Sequence, residues 1–415
     1  MTKRTQATMF NPPEALRRRI RDGFRQGKEM RRCTKCLMPE TQEPIDFDEH
    51  GVCNTCRSAK HRDTVIDWVE AERQFRKILE RHRGKYRYDA IVPFSGGKDS
   101  TWTAYVLVRR YGLKILLTTF DSNFRRPLHL QNIEKVVRKL GVDHVTFKAS
   151  EEVVRKTMVE MLKRKGDFCW FCHTGVVAFP FKTAVQYGVP LLIWGEPGSE
   201  YSGGYYGYQT KNPADERWFN RQINLSTNAE DMLGYVPGLD PRDLEPFRFP
   251  SRTELDALGA ESIHLGDFIR WDAPKQFEII RKELDWEPAD VENLHPRYNY
   301  EKVECFLQGT RDYVRFIKRG QGRTLQRANL EIRTGDLTRA EAAEMIHYDG
   351  QRPQSLDIVL DYMGISEEEF NRIAETHSIY PYVHDWSQTR RAQLELDDQN
   401  EWRKRLDMAP KKEKP

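Results

Sequence analysis

A short apolar run, Tyr88-Asp-Ala-Ile-Val-Pro-Phe94, runs directly into Ser95-Gly96-Gly97-Lys98-Asp99-Ser100, and a helix-forming stretch, Thr101 to Tyr111, follows. No other feature constrains the fold as tightly. Two glycines let the backbone turn sharply and approach a ligand without Cβ clashes. N–H groups at a helix start, with the helix dipole behind them, then face an anion. Ser95 and Ser100 add hydroxyls, and Lys98 adds a positive charge. The spacing is not that of a Walker A loop, which needs four residues between its glycines.

The chain beyond the loop keeps alternating. Leu113 to Phe120 reads as a strand, Leu130 to Leu140 as a helix, Val142 to Phe147 as a strand, Glu151 to Arg164 as a helix and Pro190 to Trp194 as a buried strand. Strands separated by helices of this length imply right-handed crossovers and a parallel sheet. Ligands of such sheets sit at the carboxyl ends of strands, which draws Ser95–Ser100, Asp121-Ser-Asn123 and Gly195-Glu196 through Glu200 towards one crevice. Before the loop, Val65 to His82 has helical periodicity.

Six of the seven cysteines fall in C-x-x-C pairs. Cys33-Thr-Lys-Cys36 and Cys53-Asn-Thr-Cys56 have the spacing of a four-thiolate zinc ribbon, whose closed shell leaves no position for water and marks a structural ion. The third pair, Cys169-Trp-Phe-Cys172-His173, admits several readings: a metal shell completed by His173 or Cys305, an iron–sulfur cluster with Cys305 as third ligand, a redox or persulfide pair, or two packed thiols. An odd count with no apolar stretch after the basic start argues against disulfides and export, so a reducing cytoplasm is expected.

No apolar run approaches the length of a bilayer span. The 415 residues carry 67 Lys+Arg against 63 Asp+Glu, but residues 1–32 hold ten basic and three acidic residues, so the remainder is net acidic. Such an arm attracts phosphates or is simply solvated. Residues 200–249, with Tyr201-Ser-Gly-Gly-Tyr-Tyr-Gly-Tyr208, read as a long loop of the kind used for lids or sugar stacking. Residues 250–400 read as mainly helical, with helices at Ala273–Leu284, Cys305–Ile317, Thr338–His347 and Glu367–Thr376. Arg311, Arg315, Lys318, Arg319 and Arg323 there form a basic face that is solvated by default or meets a diphosphate or carboxylate.

Ser-Gly-Gly-Lys-Asp-Ser resembles the pyrophosphate loop of the PP-loop ATPases, which cleave ATP between its α- and β-phosphates. Other segments extend the likeness: Cys33-Thr-Lys-Cys-Leu-Met-Pro39, Phe47-Asp-Glu-His-Gly-Val-Cys53, Phe168-Cys-Trp-Phe-Cys-His173, Ile193-Trp-Gly-Glu196, Tyr300-Glu-Lys-Val-Glu-Cys305, Arg311-Asp-Tyr313, Ile332-Arg-Thr-Gly335 and Asp361-Tyr-Met-Gly364. Together they resemble the N-acetyl sugar amidotransferases, a PP-loop branch acting in surface-polysaccharide and nonulosonic-acid biosynthesis. The pattern departs where Asn123-Phe124-Arg125 stands for Gly-Trp-Asn and Glu331-Ile-Arg-Thr for an Asp-Ile-Arg start.

The resemblance implies an α/β fold: a basic extension (1–32), a zinc ribbon (33–60), a parallel-sheet PP-loop domain (61–249), a mainly helical region (250–400) and a tail (401–415). It implies adenylation of an acetamido oxygen on a nucleotide-linked or acidic sugar, followed by attack of ammonia to leave an acetamidino group. Ser95, Gly96, Gly97, Lys98, Asp99, Ser100 and Asp121 would bind ATP and Mg²⁺, with Lys98, Asp99 and Glu196 as catalytic candidates. Cys33, Cys36, Cys53 and Cys56 would hold Zn²⁺, and Cys169, Cys172 and Cys305 offer a second metal or redox site. No glutaminase signature is present, so ammonia is expected from a separate glutaminase subunit paired with a cyclase-like one. The rival readings are a PP-loop tRNA thiolase with an iron–sulfur cluster, against which the acidic remainder of the chain weighs, and a non-catalytic scaffold.

Overall fold

The computed structural model describes residues 30–42, 44–196, 219, 224–396 and 398–406. The basic arm up to residue 29, Glu200 and the Tyr201–Tyr208 run therefore lie outside the described residues. Five parallel strands form the centre: β1 (Ala90–Pro93), β2 (Ile115–Asp121), β3 (Asp143–Lys148), β4 (Leu191–Trp194) and β5 (Glu261–His264), in the order β3-β2-β1-β4-β5. Because a strand turns successive side chains to opposite faces, the buried inner strands divide their residues between two cores. Ala90, Val92, Ile115, Leu117, Leu191 and Ile193 face one side, while Ile91, Leu116 and Leu192 face the other. Strands apolar on both faces are those a parallel sheet buries.

Helices cover both faces. On the first lie α2 (Trp68–His82), α3 (Lys98–Tyr105, continued by a π-helical turn, Val106–Arg110), α4 (Pro127–Leu140) and α7 (Ala273–Leu284). On the second lies α6 (Trp170–Tyr187), packed against β1 and β2. A Cβ at Gly175 would run into the Phe120 ring, so glycine lets α6 approach the sheet. The expected helix from Val65 to His82 is divided: α1 (Asn54–Val65) ends before Asp67, whose carboxylate accepts from Val69 and Glu70 N–H and starts α2. That side-chain cap satisfies donors the helix itself leaves open.

A third core joins α5 (Glu151–Lys165) and α6 to α8 (Gln308–Arg319), α10 (Leu356–Met363) and α11 (Glu367–Thr376). Between α8 and α10 lies α9 (Arg323–Thr334), whose start is capped from a distance: Asp349 accepts from the N–H groups of Gly322, Thr324 and Leu325. The mainly helical region differs from expectation in two places. It contains the sheet's fifth strand, β5, just after a short helix at Arg252–Leu258, and Cys305 lies outside α8, bridged to Arg125 in the loop after β2.

The ribbon rests on this helical region. Arg32 donates to Gly320 O at 3.3 Å, Thr41 Oγ1 to Arg319 O at 2.5 Å and Arg319 to Thr41 O at 2.5 Å. The basic residues of α8 are thus partly enclosed. They do not form the solvated face that the sequence offers by default.

Candidate active site

The strand order reverses direction between β1 and β4, and at such a switch point the loops leave a crevice between them. Ser95–Ser100 follows β1 and Gly195-Glu196 follows β4, so topology alone brings these two sequence candidates together.

The loop is preorganised by its own hydroxyls. Gly96 N–H donates to Ser100 Oγ at 3.1 Å, Gly97 N–H to Ser95 Oγ at 3.2 Å, and the two hydroxyls lie 3.2 Å apart. Gly96 has φ +79°, and a Cβ there would sit 2.5 Å from Ile133 and 2.7 Å from His129. No larger residue fits that position. Gly97 is the N-cap of α3 and has no side chain to satisfy the first-turn N–H groups, which suits them to an anion. The loop carbonyls are held from outside: Ser95 O by Arg125 at 2.7 Å and His129 Nε2 at 2.6 Å, and Gly96 O by Trp286 Nε1 at 2.9 Å. Burial, then the Arg125 charge, keeps His129 well below the usual histidine range, so it is neutral and donates through Nε2.

Lys98 lines the cavity, but its ammonium is already paired. Nζ lies 2.5 Å from Asp99 and 3.2 Å from Glu301, and Glu301 lies 3.3 Å from Arg327. Burial pulls the lysine's proton affinity down, yet the two carboxylates outweigh it and hold Lys98 above its ordinary value. The same charges, Arg327 then Lys98, bring Glu301 down to about 2 despite burial. Glu196 behaves oppositely: burial and the nearby Asp99 raise it to about 6. Asp121 is the candidate the structure sets apart. Its carboxylate accepts from Asn123 N–H at 2.9 Å and closes its own turn, and it is not among the described residues lining the cavity. Asn123, standing where the family pattern has glycine, has φ +71°, a left-handed conformation that asparagine tolerates.

The cavity over the loop encloses about 290 Å³. One wall comes from the sheet's loops, with Ser122, Arg125 and Glu196; the other comes from the helical region, with Tyr300, Lys302, Glu304, Gln308 and Arg311. Nothing in the sequence by itself assigns a role to Glu301, Glu304 or Arg125, although the first two lie in the Tyr300–Cys305 segment that carries the resemblance. One carboxylate oxygen of Glu304 is buried without a partner among the described residues and would lie 3.0 Å from a Cβ on Gly97. A bare carboxylate facing N–H groups suited to an anion would repel that anion unless a cation intervened. Glu304 and Asp99 line the same cavity, and although Asp99 also pairs with Lys98, such carboxylates could hold Mg²⁺, which takes one or two of them together with phosphate oxygens.

Cys169, Cys172 and Cys305 all line this cavity with His173. Burial pushes all three thiols up, Cys305 to about 12, which disfavours a free thiolate nucleophile. Among the described residues only Cys33, Cys36, Cys53 and Cys56 bring three or more such ligand atoms within 4.8 Å of one another. Cys169, Cys172, Cys305 and His173 therefore do not form a closed single-ion shell. The ribbon sulfurs also accept backbone N–H bonds, Cys36 and Cys53 N–H to Cys33 Sγ at 3.4 and 3.2 Å and Cys56 N–H to Cys53 Sγ at 3.4 Å. This donor set fits a structural zinc ion or an iron–sulfur centre.

Residues 273–396 match a family model described as "LPS biosynthesis protein WbpG-like, C-terminal domain". No curated protein matches the sequence. Similar solved structures include the NMN synthetase from Francisella tularensis (14% identity, 72% of this chain and 98% of that chain, TM-score 0.33). A U34-tRNA thiolase from Methanococcus maripaludis with its 4Fe–4S cluster is similar at 14% identity, over 74% of this chain and 88% of that one, TM-score 0.28. The NH3-dependent NAD synthetase from Campylobacter jejuni shows 11% identity over 68% and 98%, TM-score 0.27. Likenesses this distant carry no argument about function.

Proposed function

We propose that the chain is an ATP-dependent amidotransferase acting on an N-acetyl sugar for surface-glycan synthesis, a reading supported by the match of residues 273–396 to the WbpG-like C-terminal domain model and by the glycine loop that this region faces. The observation that carries this is the shared cavity. The phosphate loop forms its floor, and Tyr300 to Arg311, inside the matched domain, form its far wall.

An acetamido carbonyl is a poor electrophile because amide resonance resists attack. In this reading its oxygen attacks the α-phosphorus of ATP, the α–β bridge breaks, and pyrophosphate leaves. Ammonia then adds to the imidate carbon, AMP departs, and an acetamidino group remains. The N–H groups at the start of α3 and the hydroxyls of Ser95 and Ser100 hold the β,γ-phosphates. Preorganised donors of this kind, aimed at developing charge, are usually the largest catalytic contribution. Mg²⁺, held by Glu304 and Asp99, would neutralise phosphate charge. Glu196, with its raised pKa, is suited to take a proton from the attacking ammonia. Lys98, fixed by Asp99 and Glu301, orders the loop and keeps a positive charge beneath the phosphates. Ammonia would come from a separate glutaminase, paired with a cyclase-like subunit.

The test is incubation with ATP, Mg²⁺, ammonium and a panel of UDP- and CMP-linked N-acetyl sugars, with products read by mass spectrometry. Amidine formation together with AMP and pyrophosphate is expected, and glutamine alone should not replace ammonium. AMP release with no sugar modified would overturn the amidination reading.

One observation favours a second reading, a PP-loop tRNA thiolase: three cysteines face the same cavity as the phosphate loop. Anaerobically purified protein that is brown, and that binds tRNA with the steep salt dependence of counterion release, would favour it over amidination.

A further inference from the structure

A second cavity, of about 460 Å³, lies beyond Arg311. Its lining holds six cationic side chains, Lys165, Arg311, Arg315, Lys318, Arg319 and Arg323, against two carboxylates, Asp167 and Asp312. Asp312 is taken by Arg323, with bonds of 2.9 and 3.1 Å. The Asp167 charge is met first by Arg311, then by His173 and Lys318. Among the described residues Arg315 gives one bond, to Gln42 at 3.0 Å, and its buried Nε has no partner. Lys318 is held by Gly166 O at 2.5 Å. Burial, then the neighbouring cations, presses Arg315 down to about 9, and burial brings Lys318 down to about 8. Charges crowded in this way are relieved by an incoming anion.

The face of α8 connects this basin to the active site. Gln308 lines the first cavity, Arg311 lines both, and Arg315 and Lys318 line the second. At 1.5 Å per residue, Arg311 and Lys318 are about 10 Å apart along the axis. A sugar joined to a diphosphate can extend over a span of that size.

We propose that this basin is a second anion site, separate from the loop at Ser95, that holds a phosphate or diphosphate group. Its guanidinium donors match phosphate oxygens in geometry as well as charge. Two sources present that chemistry: the phosphate handle of the acceptor sugar, whose acetamido group would then reach past Arg311 to the loop, and free pyrophosphate. The acceptor assignment rests on the amidination reading; the anion site does not.

Binding to the full chain, measured calorimetrically without turnover, tests the site. With the loop saturated by a non-hydrolysable ATP analogue, pyrophosphate should still bind once per chain. Arg315→Gln and Lys318→Gln should each weaken it about tenfold, the effect of losing one charge-assisted contact, and leave analogue affinity unchanged. Lys318→Gln does not touch the bond to Gln42, so it serves if Arg315→Gln fails to fold. Absence of pyrophosphate binding once the loop is filled, or binding indifferent to both variants, would overturn the site. Competition by UDP-N-acetylglucosamine supports the acceptor assignment, and failure to compete overturns that assignment. Displacement of pyrophosphate by tRNA with a steep salt slope would overturn both in favour of a nucleic-acid backbone.

Discussion

Single side chains around the loop act through charge. Glu196 titrates near 6 because burial and Asp99 disfavour its anion. If it accepts the ammonia proton, turnover should rise as pH increases through about 6, and Glu196→Gln should lower kcat and erase that limb of the pH–rate profile. Glu301 lies between Lys98 and Arg327 with almost no exposure. Glu301→Gln leaves two buried cations short of a counter-charge, and removing one member of such a group costs about 3–5 kcal/mol. Chemical denaturation should show a loss of that size; a loss below about 1 kcal/mol, the scale of a surface pair, would mean the group is solvated. Lys98 was legible as a cation in a glycine loop. Its pairing with Glu301 was not, since the two are far apart in sequence and nothing local joins them.

Among the elements, the ribbon and α6 carry the sharpest expectations. The four ribbon thiols were readable from spacing alone, because a tetrahedral shell demands two close pairs. Their docking on the helical region was not. Through Thr41, Gln42 and Arg32 the ribbon contacts the end of α8, and Asn329 of α9 reaches Met38 Sδ at 3.6 Å. If these thiols hold an ion, stripping it with a chelator should therefore speed amide hydrogen exchange in α8 and α9 as well as within residues 33–60. Protection unchanged outside the ribbon would show the contact to be energetically idle. At Gly175, where α6 meets Phe120, substitution by valine should cost about 1–3 kcal/mol by overpacking, seen as a lowered denaturation midpoint. The edge element β5 escaped sequence reading for a plain reason. Glu-Ser-Ile-His offers a single apolar residue, so its strand character comes from pairing with β4.

Across the whole molecule, several buried histidines set the acid limit of stability. Burial lowers His144, His173 and His384 to about 4, and His129 is well below its usual value. Between about 6.5 and 4 the unfolded chain binds these protons and the folded chain does not, so stability must rise with pH there. Glu196 and Asp349, each raised to about 6, act in the opposite sense, and burial raises Asp267 and Glu292 as well, but His295 and His377 are also lowered, so six histidines stand against four carboxyls. The melting temperature should fall as pH drops from 6.5 towards 4, and a flat profile across that window would refute the assignment of neutral buried histidines.

From sequence alone came the parallel α/β layout, the glycine loop at a strand end and the four-thiol ribbon. Each of these is local physics: an apolar period, a backbone conformation that glycine adopts most freely, a metal geometry that dictates spacing. Tertiary structure decided the rest. It brought Glu301, Glu304 and Arg311 of the helical region to a loop some two hundred residues earlier, turned Asp121 onto its own backbone, and enclosed a basic helix face that composition would leave in water. Those outcomes depend on which surfaces meet when three cores close, and no short stretch of sequence encodes a meeting between distant segments.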